Sequence, residues 1–211
     1  MIWHDVEQTG DEWFDLKLGK PGGSKAATYM ANASKAKTYW GKPAREYAIT
    51  LALETINRTR GTEFPPTLPM QRGTEQEPIA RSLYESTTLN VVTNGGWFDC
   101  ETHGTSPDGL VDLDGCIEIK CTGRTAHWAV LKSKKYSSEY KWQLINHLEV
   151  TGRDWVDFVN YCSDFPEYAQ LFIQRVYAKN VMAEIAALRV RRAKFVAKIA
   201  EEIALIEKKR D

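Results

Sequence analysis

Between about residue 89 and residue 121 the spacing of apolar residues changes from the helical interval to an interval of two, and it changes back afterwards. No other feature constrains the fold as strongly. Short β-rich pieces fall at Val91-Val92, Trp97-Phe98, Leu110-Val111 and Ile117–Ile119, and the run Asp112-Leu113-Asp114-Gly115 between the last two is an Asp-Gly turn signal for a hairpin. Upstream, residues 44–58 carry apolar positions at helical spacing with Gly61 as a stop. A second helix is expected to begin near Thr74, where Thr74-Glu75-Gln76-Glu77 has capping-box form and Pro78 suits a first turn. Downstream, residues 140–151 predict a helix ending before Gly152, Trp155–Tyr161 and Leu171–Tyr177 predict strands, and about 181–208 predicts one long helix. That last helix carries Ile185, Leu188, Phe195, Ile199, Ile203 and Ile206 on one stripe with Arg and Lys elsewhere, as in packing against the body or a neighbouring subunit. Helices, a mixed sheet with a central hairpin, a helix, strands and a final helix predict an α+β fold in a single domain over residues 1–211.

Composition removes several classes of function. The longest apolar runs are four residues, against the roughly 20 needed to span a bilayer. The opening MIWHDVEQTGDEW has no apolar core or cleavage site. A cytoplasmic protein with no membrane partner is expected. Cys100, Cys116, Cys121 and Cys162 form no Cys-x-x-Cys pair, which speaks against a zinc ribbon, a redox pair or an iron–sulfur cluster and for reduced buried thiols. Twenty-eight basic and 28 acidic residues balance, so the net field does not hold a polyanion. The charge is segregated, however. Residues 1–15 carry Asp5, Glu7, Asp11, Glu12 and Asp15 with no Lys or Arg, whereas 124–141 carry Arg124, Lys132, Lys134, Lys135 and Lys141 against Glu139 alone. That strip is either a phosphate-binding surface or a solvated loop or helix face.

The chemistry is concentrated around the expected hairpin. In a strand, alternate residues share a face, so Glu118 and Lys120 point together while Ile117, Ile119 and Cys121 point to the other side. Asp108, between Pro107 and Gly109, comes back to the same stretch of hairpin across the turn. Glu118-Ile119-Lys120 alone reads as the polar face of a half-buried strand. With Asp108 it becomes two carboxylates and an amine, a set suited to phosphodiester hydrolysis. Carboxylate oxygens are hard ligands for Mg²⁺ or Mn²⁺, and an amine beside them can orient a water or receive its proton. An ammonium next to a divalent cation is expected to have a lowered pKa.

These residues resemble the PD-(D/E)XK nucleases, and within them the phage lambda exonuclease type, the YqaJ-type viral recombinases or alkaline exonucleases. The resemblance runs through most of the chain. Beside Pro107-Asp108 and Glu118-Ile119-Lys120 it includes Gly10-Asp11-Glu12-Trp13, Leu16-Lys17-Leu18-Gly19 and Ser24. Further along it takes in Gly73-Thr74-Glu75-Gln76-Glu77 with Ala80-Arg81, and Gln143 with Val150-Thr151-Gly152-Arg153.

The resemblance implies a restriction-endonuclease-like core, a mixed central sheet flanked by helices. It implies Asp108, Glu118 and the carbonyl of Ile119 as metal ligands, Lys120 as the catalytic lysine, and Glu77 as a helix glutamate approaching the metals. Glu75 is the alternative to Glu77, and a helix-capping carboxylate is the structural reading of Glu77. Lys17, Ser24 and Ser106 fall where the family binds a 5′-terminal phosphate, although Lys17 replaces an arginine and lacks its bidentate geometry. Met70 matches an apolar wedge at the strand-separation point and reads equally well as core packing. The family often has two glutamines two apart on the helix after the active strand. Here Gln143 is followed by Leu144 and Ile145, and Asn146 is one place off register.

The implied activity is a Mg²⁺-dependent 5′-to-3′ exonuclease on linear double-stranded DNA, with Mn²⁺ as a substitute and two ions per site. It releases mononucleotides and leaves a 3′ single-stranded overhang. A homotrimeric ring around the duplex and a single-strand annealing recombinase as partner are implied with it. A chain of this length has a radius of gyration of roughly 17 Å, too small to encircle a duplex alone. A structure-specific or restriction-type endonuclease of the same fold, or a non-catalytic DNA-binding module, is the alternative.

Overall fold

The computed structural model describes residues 1–32, 39–59, 61 and 67–210. The Phe64-Pro65-Pro66 part of the proline-rich stretch lies outside the described residues. In chain order the elements are β1 (Ile2–His4), α1 (Asp11–Lys17), α2 (Ala26–Met30), α3 (Lys42–Asn57), α4 (Leu68–Thr88), β2 (Val92–Thr93), β3 (Trp97–Asp99) and β4 (Gly104–Thr105). They continue with β5 (Gly109–Val111), β6 (Gly115–Cys121), α5 (Arg124–Ser133), α6 (Lys141–Thr151), β7 (Trp155–Tyr161), β8 (Leu171–Tyr177) and α7 (Met182–Glu207).

The α+β architecture is as expected, a five-stranded sheet of order β2-β5-β6-β7-β8 flanked by helices. A smaller sheet, β1-β3-β4, stands beside it. Among the described residues only β6 and β7 run parallel, joined through α5 and α6; the other neighbours are antiparallel. The alternation of β6 and β7 sorts two cores. Cys116, Val156 and Phe158 face a cluster with Leu144, Ile145, Leu188 and Phe195, while Ile117, Ile119, Val159 and Tyr161 face Ala80 and Tyr84 of α4. Glu118 and Lys120 therefore lie on the α6 side of the sheet by the period-two rule.

The long final helix packs against α3 and α6. Phe195 lies stacked against Tyr29 (ring centroids 4.9 Å apart) and Tyr47 (5.6 Å), with the edge of Trp40 at 5.4 Å. One correction falls on its stripe. Arg192 is buried among these apolar residues, where its guanidinium pairs with Glu149 and reaches Oδ1 of Asn146 at 3.0 Å. Nδ2 of Asn146 in turn donates to the Gly104 carbonyl at 3.2 Å. A buried cation is tolerated where it is paired and hydrogen-bonded. This chain of contacts sets α6 against both α7 and β4.

Other expectations shift. α4 begins at Leu68, six residues before Thr74, with a proline in its first turn. Thr74 is thus interior and its hydroxyl bonds back to the Met70 carbonyl at 3.2 Å, so the capping-box reading of Glu77 falls, and Pro78 lies inside the helix rather than in its first turn. The hairpin loop is the three residues Asp112 to Asp114, with Asp112 at φ +47°. Gly115 is already in β6, pairing with Val111, where an added Cβ would lie 2.0 Å from the Trp155 ring. Close approach is what demands glycine there. The basic strip begins with a helix, α5, and Lys132, Lys134 and Lys135 are exposed. All four cysteines are free thiols; Cys116 and Cys162 are buried, Cys100 and Cys121 half-buried. Among the described residues no helix is long and apolar enough to cross a membrane.

Candidate active site

β5 is shorter than β6. Their pairing ends at Gly109 opposite Ile117, while β6 continues to Cys121 with only β7 beside it. In a strand the N–H and C=O of one residue point to the same side, so beyond Ile117 the amide and carbonyl of Ile119 turn toward the side β5 has vacated. Asp108 stands at that point. Its amide donates to the Ile117 carbonyl at 3.0 Å and its Oδ2 accepts the Ile119 amide at 2.6 Å. The segment carrying it is held from the N-terminal side, where Nε2 of Gln8 donates to the Pro107 carbonyl at 2.7 Å and Nε1 of Trp13 donates to Oγ of Ser106 at 2.9 Å.

Glu118 is 1% exposed. Its Oε1 accepts from the Lys120 ammonium and, at 2.6 Å, from Nε2 of Gln143; its Oε2 lies 2.7 Å from Nε2 of His147. Gln143 and His147 are one helical turn apart on α6, so one face of that helix supplies a bond to each oxygen. Glu77 enters from the opposite face of the sheet. α4 is anchored there by Tyr84, whose hydroxyl donates to Oδ2 of Asp157 at 2.8 Å while Arg175 grips the same carboxylate. Glu77 is half-buried two turns earlier, and Glu75 is exposed.

The electrostatics follow from three carboxylates and one ammonium. Burial opposes the charge of Glu118, but Lys120 and the His147 hydrogen bond outweigh it and hold the carboxyl down at about 2. Burial and then the Glu118 charge push Asp108 well above the ordinary carboxylate range, against the pull of Lys120. Glu77 is raised for the same two reasons. Burial works against the Lys120 ammonium, yet Glu118 and Asp108 more than reverse it, so Lys120 is held above its ordinary value. The protein's own charges therefore do not lower Lys120.

Asp108, Glu118, Lys120, Gln143, Lys17, Ser24 and Ser106 line one cleft of about 670 Å³, together with His147, Trp13, Lys20 and Lys25. Lys17 ends α1 with its Nζ 3.8 Å from the centre of the Trp13 ring. Ser24 is exposed, whereas the Ser106 hydroxyl donates to the Gly96 carbonyl. Met70, in the first turn of α4 and 60% exposed, does not line the cleft and is not core packing. Ile145, where the family's second glutamine would stand, is fully buried in the core. His147 and Thr105 are the residues that motif reasoning passed over. The signal for His147 was its spacing of four from Gln143 on a helix.

Among the described residues no three His, Cys, Asp or Glu side chains form a preassembled metal cage. The donor set still suits a hard divalent cation. It consists of carboxylate and carbonyl oxygens, and such a cation offsets both the burial and the Glu118 repulsion that raise Asp108 and Glu77.

A mixed sheet flanked by helices, with an acidic pair and a lysine where two central strands part, defines the PD-(D/E)XK class of fold. The sequence model described as the YqaJ-like viral recombinase domain matches residues 12–154, and the chain belongs to that family. Among solved structures it is similar to an alkaline exonuclease, LHK-Exo, from Laribacter hongkongensis, with 33% identity, a TM-score of 0.84, and 95% of this chain and 97% of that one covered. It is likewise similar to LHK-Exo in complex with dAMP, at a TM-score of 0.82 with the same identity and coverage. A phage-related exonuclease from Haemophilus somnus 129PT shares the fold at 16% identity and a TM-score of 0.67, with 91% and 96% of the two chains covered. Comparison with curated proteins gave no match.

Proposed function

We propose that the chain is a divalent-metal-dependent exonuclease that degrades one strand of linear double-stranded DNA from its 5′ end, releasing mononucleotides and leaving a 3′ overhang for recombination by strand annealing. The observation that carries this reading is the meeting of Asp108, Glu118, Lys120 and Gln143 in one cleft. The likeness to an alkaline exonuclease, and the mononucleotide in the LHK-Exo complex, support it.

Asp108, Glu118, the Ile119 carbonyl and Glu77 would hold Mg²⁺ or Mn²⁺, two ions per site. Bound there, the ions supply Lewis acidity toward the phosphodiester and its attacking water. Lys120, kept protonated by Glu118 and Asp108, orients the water or the scissile phosphate by hydrogen bonding. Gln143 offers an amide to the same phosphate. Lys17 and Ser24, with Ser106 beside them, bind the 5′-terminal phosphate at the cleft wall, and Met70 wedges the end of the duplex from its exposed position. Lys132, Lys134 and Lys135 line the passage of a homotrimeric ring, which keeps a neutral protein on DNA. A single-strand annealing protein takes up the exposed strand.

End-labelled linear duplex and closed circular duplex, each with and without Mg²⁺, test the reading. Metal-dependent loss of the 5′ label as mononucleotide with circles intact is expected. Cleaved circles would instead establish an endonuclease, and no metal-dependent release would leave a binding module.

A further inference from the structure

Glu118 is held at both oxygens, by Lys120 and Gln143 on one and by a histidine outside the nuclease motif on the other. The terminal torsion of a glutamate is broad and roughly two-fold, so a carboxylate held only at Oε1, by Lys120 and Gln143, remains free to swing its other oxygen. His147 occupies that other oxygen at 2.7 Å. Its Nδ1 lies 2.8 Å from Oγ1 of Thr105 on β4, and Glu118, His147 and Thr105 are each 1% exposed or less. The carboxylate oxygen can only accept, so Nε2 carries a proton. The Thr105 hydroxyl makes no other hydrogen bond among the described residues, and its proton is satisfied only if Nδ1 accepts it. One tautomer of His147, with Nδ1 accepting from Thr105 and Nε2 donating to Glu118, satisfies both contacts at once. The backbone beneath them is tight. A Cβ on Gly23 would come within 2.9 Å of the Thr105 hydroxyl and 3.6 Å of the His147 ring.

We propose that His147, with its tautomer set by Thr105, is the positioning residue that holds the Glu118 carboxylate in the orientation that binds the divalent cation. The inference rests on the metal-dependent reading above. Partners that orient ligating groups in this way are typically worth about 10–100-fold in metal affinity or activity.

The test measures Mn²⁺ affinity by titration calorimetry, cleavage of linear duplex as a function of Mn²⁺, and the imidazole ¹⁵N spectrum of metal-free protein. The variants are His147→Leu, His147→Gln and Thr105→Val, with Asp108→Ala as control and thermal unfolding to confirm folding. Wild type is expected to show His147 protonated at Nε2, and Thr105→Val to lose that preference and weaken Mn²⁺ binding. His147→Leu should raise the Mn²⁺ Kd about 10–100-fold and shift the cleavage curve to higher metal by a similar factor. His147→Gln, whose amide reaches the same oxygen, should recover most of the loss. A folded His147→Leu with wild-type Mn²⁺ affinity overturns the proposal. If the leucine variant does not fold, Thr105→Val decides, and an unchanged tautomer with an unchanged Kd overturns it. Loss of Mn²⁺ in Asp108→Ala alone would leave the metal site standing and remove only the role of His147. Unchanged Mn²⁺ binding in Asp108→Ala would instead remove the metal reading itself.

Discussion

The main-chain amide of Ile119 donates to Oδ2 of Asp108 over 2.6 Å, joining the end of β5 to β6 where the two strands part. The bond fixes one oxygen of a carboxylate that burial and Glu118 make costly to ionise. Keeping this carboxyl ionised therefore works against the stability of the fold.

Asp108→Asn should therefore unfold at a temperature equal to or above wild type, since it removes a disfavoured charge but keeps an oxygen for the Ile119 amide. Each kcal/mol recovered is worth about 2–4 °C in a chain of this size. Cleavage should fall by about three orders of magnitude or more, as it should in Glu118→Ala and Lys120→Ala. Calorimetry and a duplex-digestion assay on the same preparations check both halves. Wild-type turnover in any of the three would remove that residue's assigned role.

A 5′-phosphorylated duplex should be degraded faster than one ending in a 5′-hydroxyl. One hydrogen bond to a charged group contributes about 1.5–3 kcal/mol, so Lys17→Ala or Ser24→Ala should narrow the preference by roughly 10–100-fold while leaving the hydroxyl-ended rate nearly unchanged. Matched rates on the two ends in wild type would show that the cleft wall does not read the terminus.

Acid should destabilise the protein partly through His103. Burial, and then the charge of Arg192, lower its pKa from 6.5 to about 4. Between those values the unfolded chain binds a proton that the folded one refuses, so stability rises with pH across that window. The contribution is complete above about pH 6.5 and is lost as pH falls toward 4. His103→Gln should flatten the midpoint-versus-pH curve between pH 4 and 6.5. A slope identical to wild type would show that other groups govern it.

Phe195→Ala should cost about 3–5 kcal/mol, because the ring is fully buried among Tyr29, Trp40 and Tyr47. Thermal unfolding should fall by roughly 10 °C. A drop of only a degree or two would mean that α7 does not seal this core.

Much of the fold was legible because the signals were local and strong. β7 and β8 have the bounds read from their alternating residues, α6 stops at Gly152, which adopts φ +69°, and α7 spans nearly its full expected length. The start of α4 was misplaced because Thr74 looks like a cap in isolation. Thr67 followed by Leu68-Pro69 was the better signal, with proline in the first turn. β1 and β4 are three and two residues long, too short for a period to show. Their ladder forms through partners up to 97 positions away in sequence. Arg192 belongs with the Arg and Lys read as off the apolar stripe, yet it is buried on it, because nothing local announces Glu149 and Asn146 on another helix.

The sequence alone determined which residue types could do chemistry and which strand face would carry them, since alternation along β6 is a property of the chain itself. Tertiary structure decided which of those groups meet. The truncation of β5 that aims Asp108 at Ile119, the helical turn of α6 that sets Gln143 and His147 on the two oxygens of Glu118, and the elevation of Asp108 beside them all arise between segments remote in sequence. Burial and charge proximity act through space, and only the packed arrangement of sheet and helices fixes those distances.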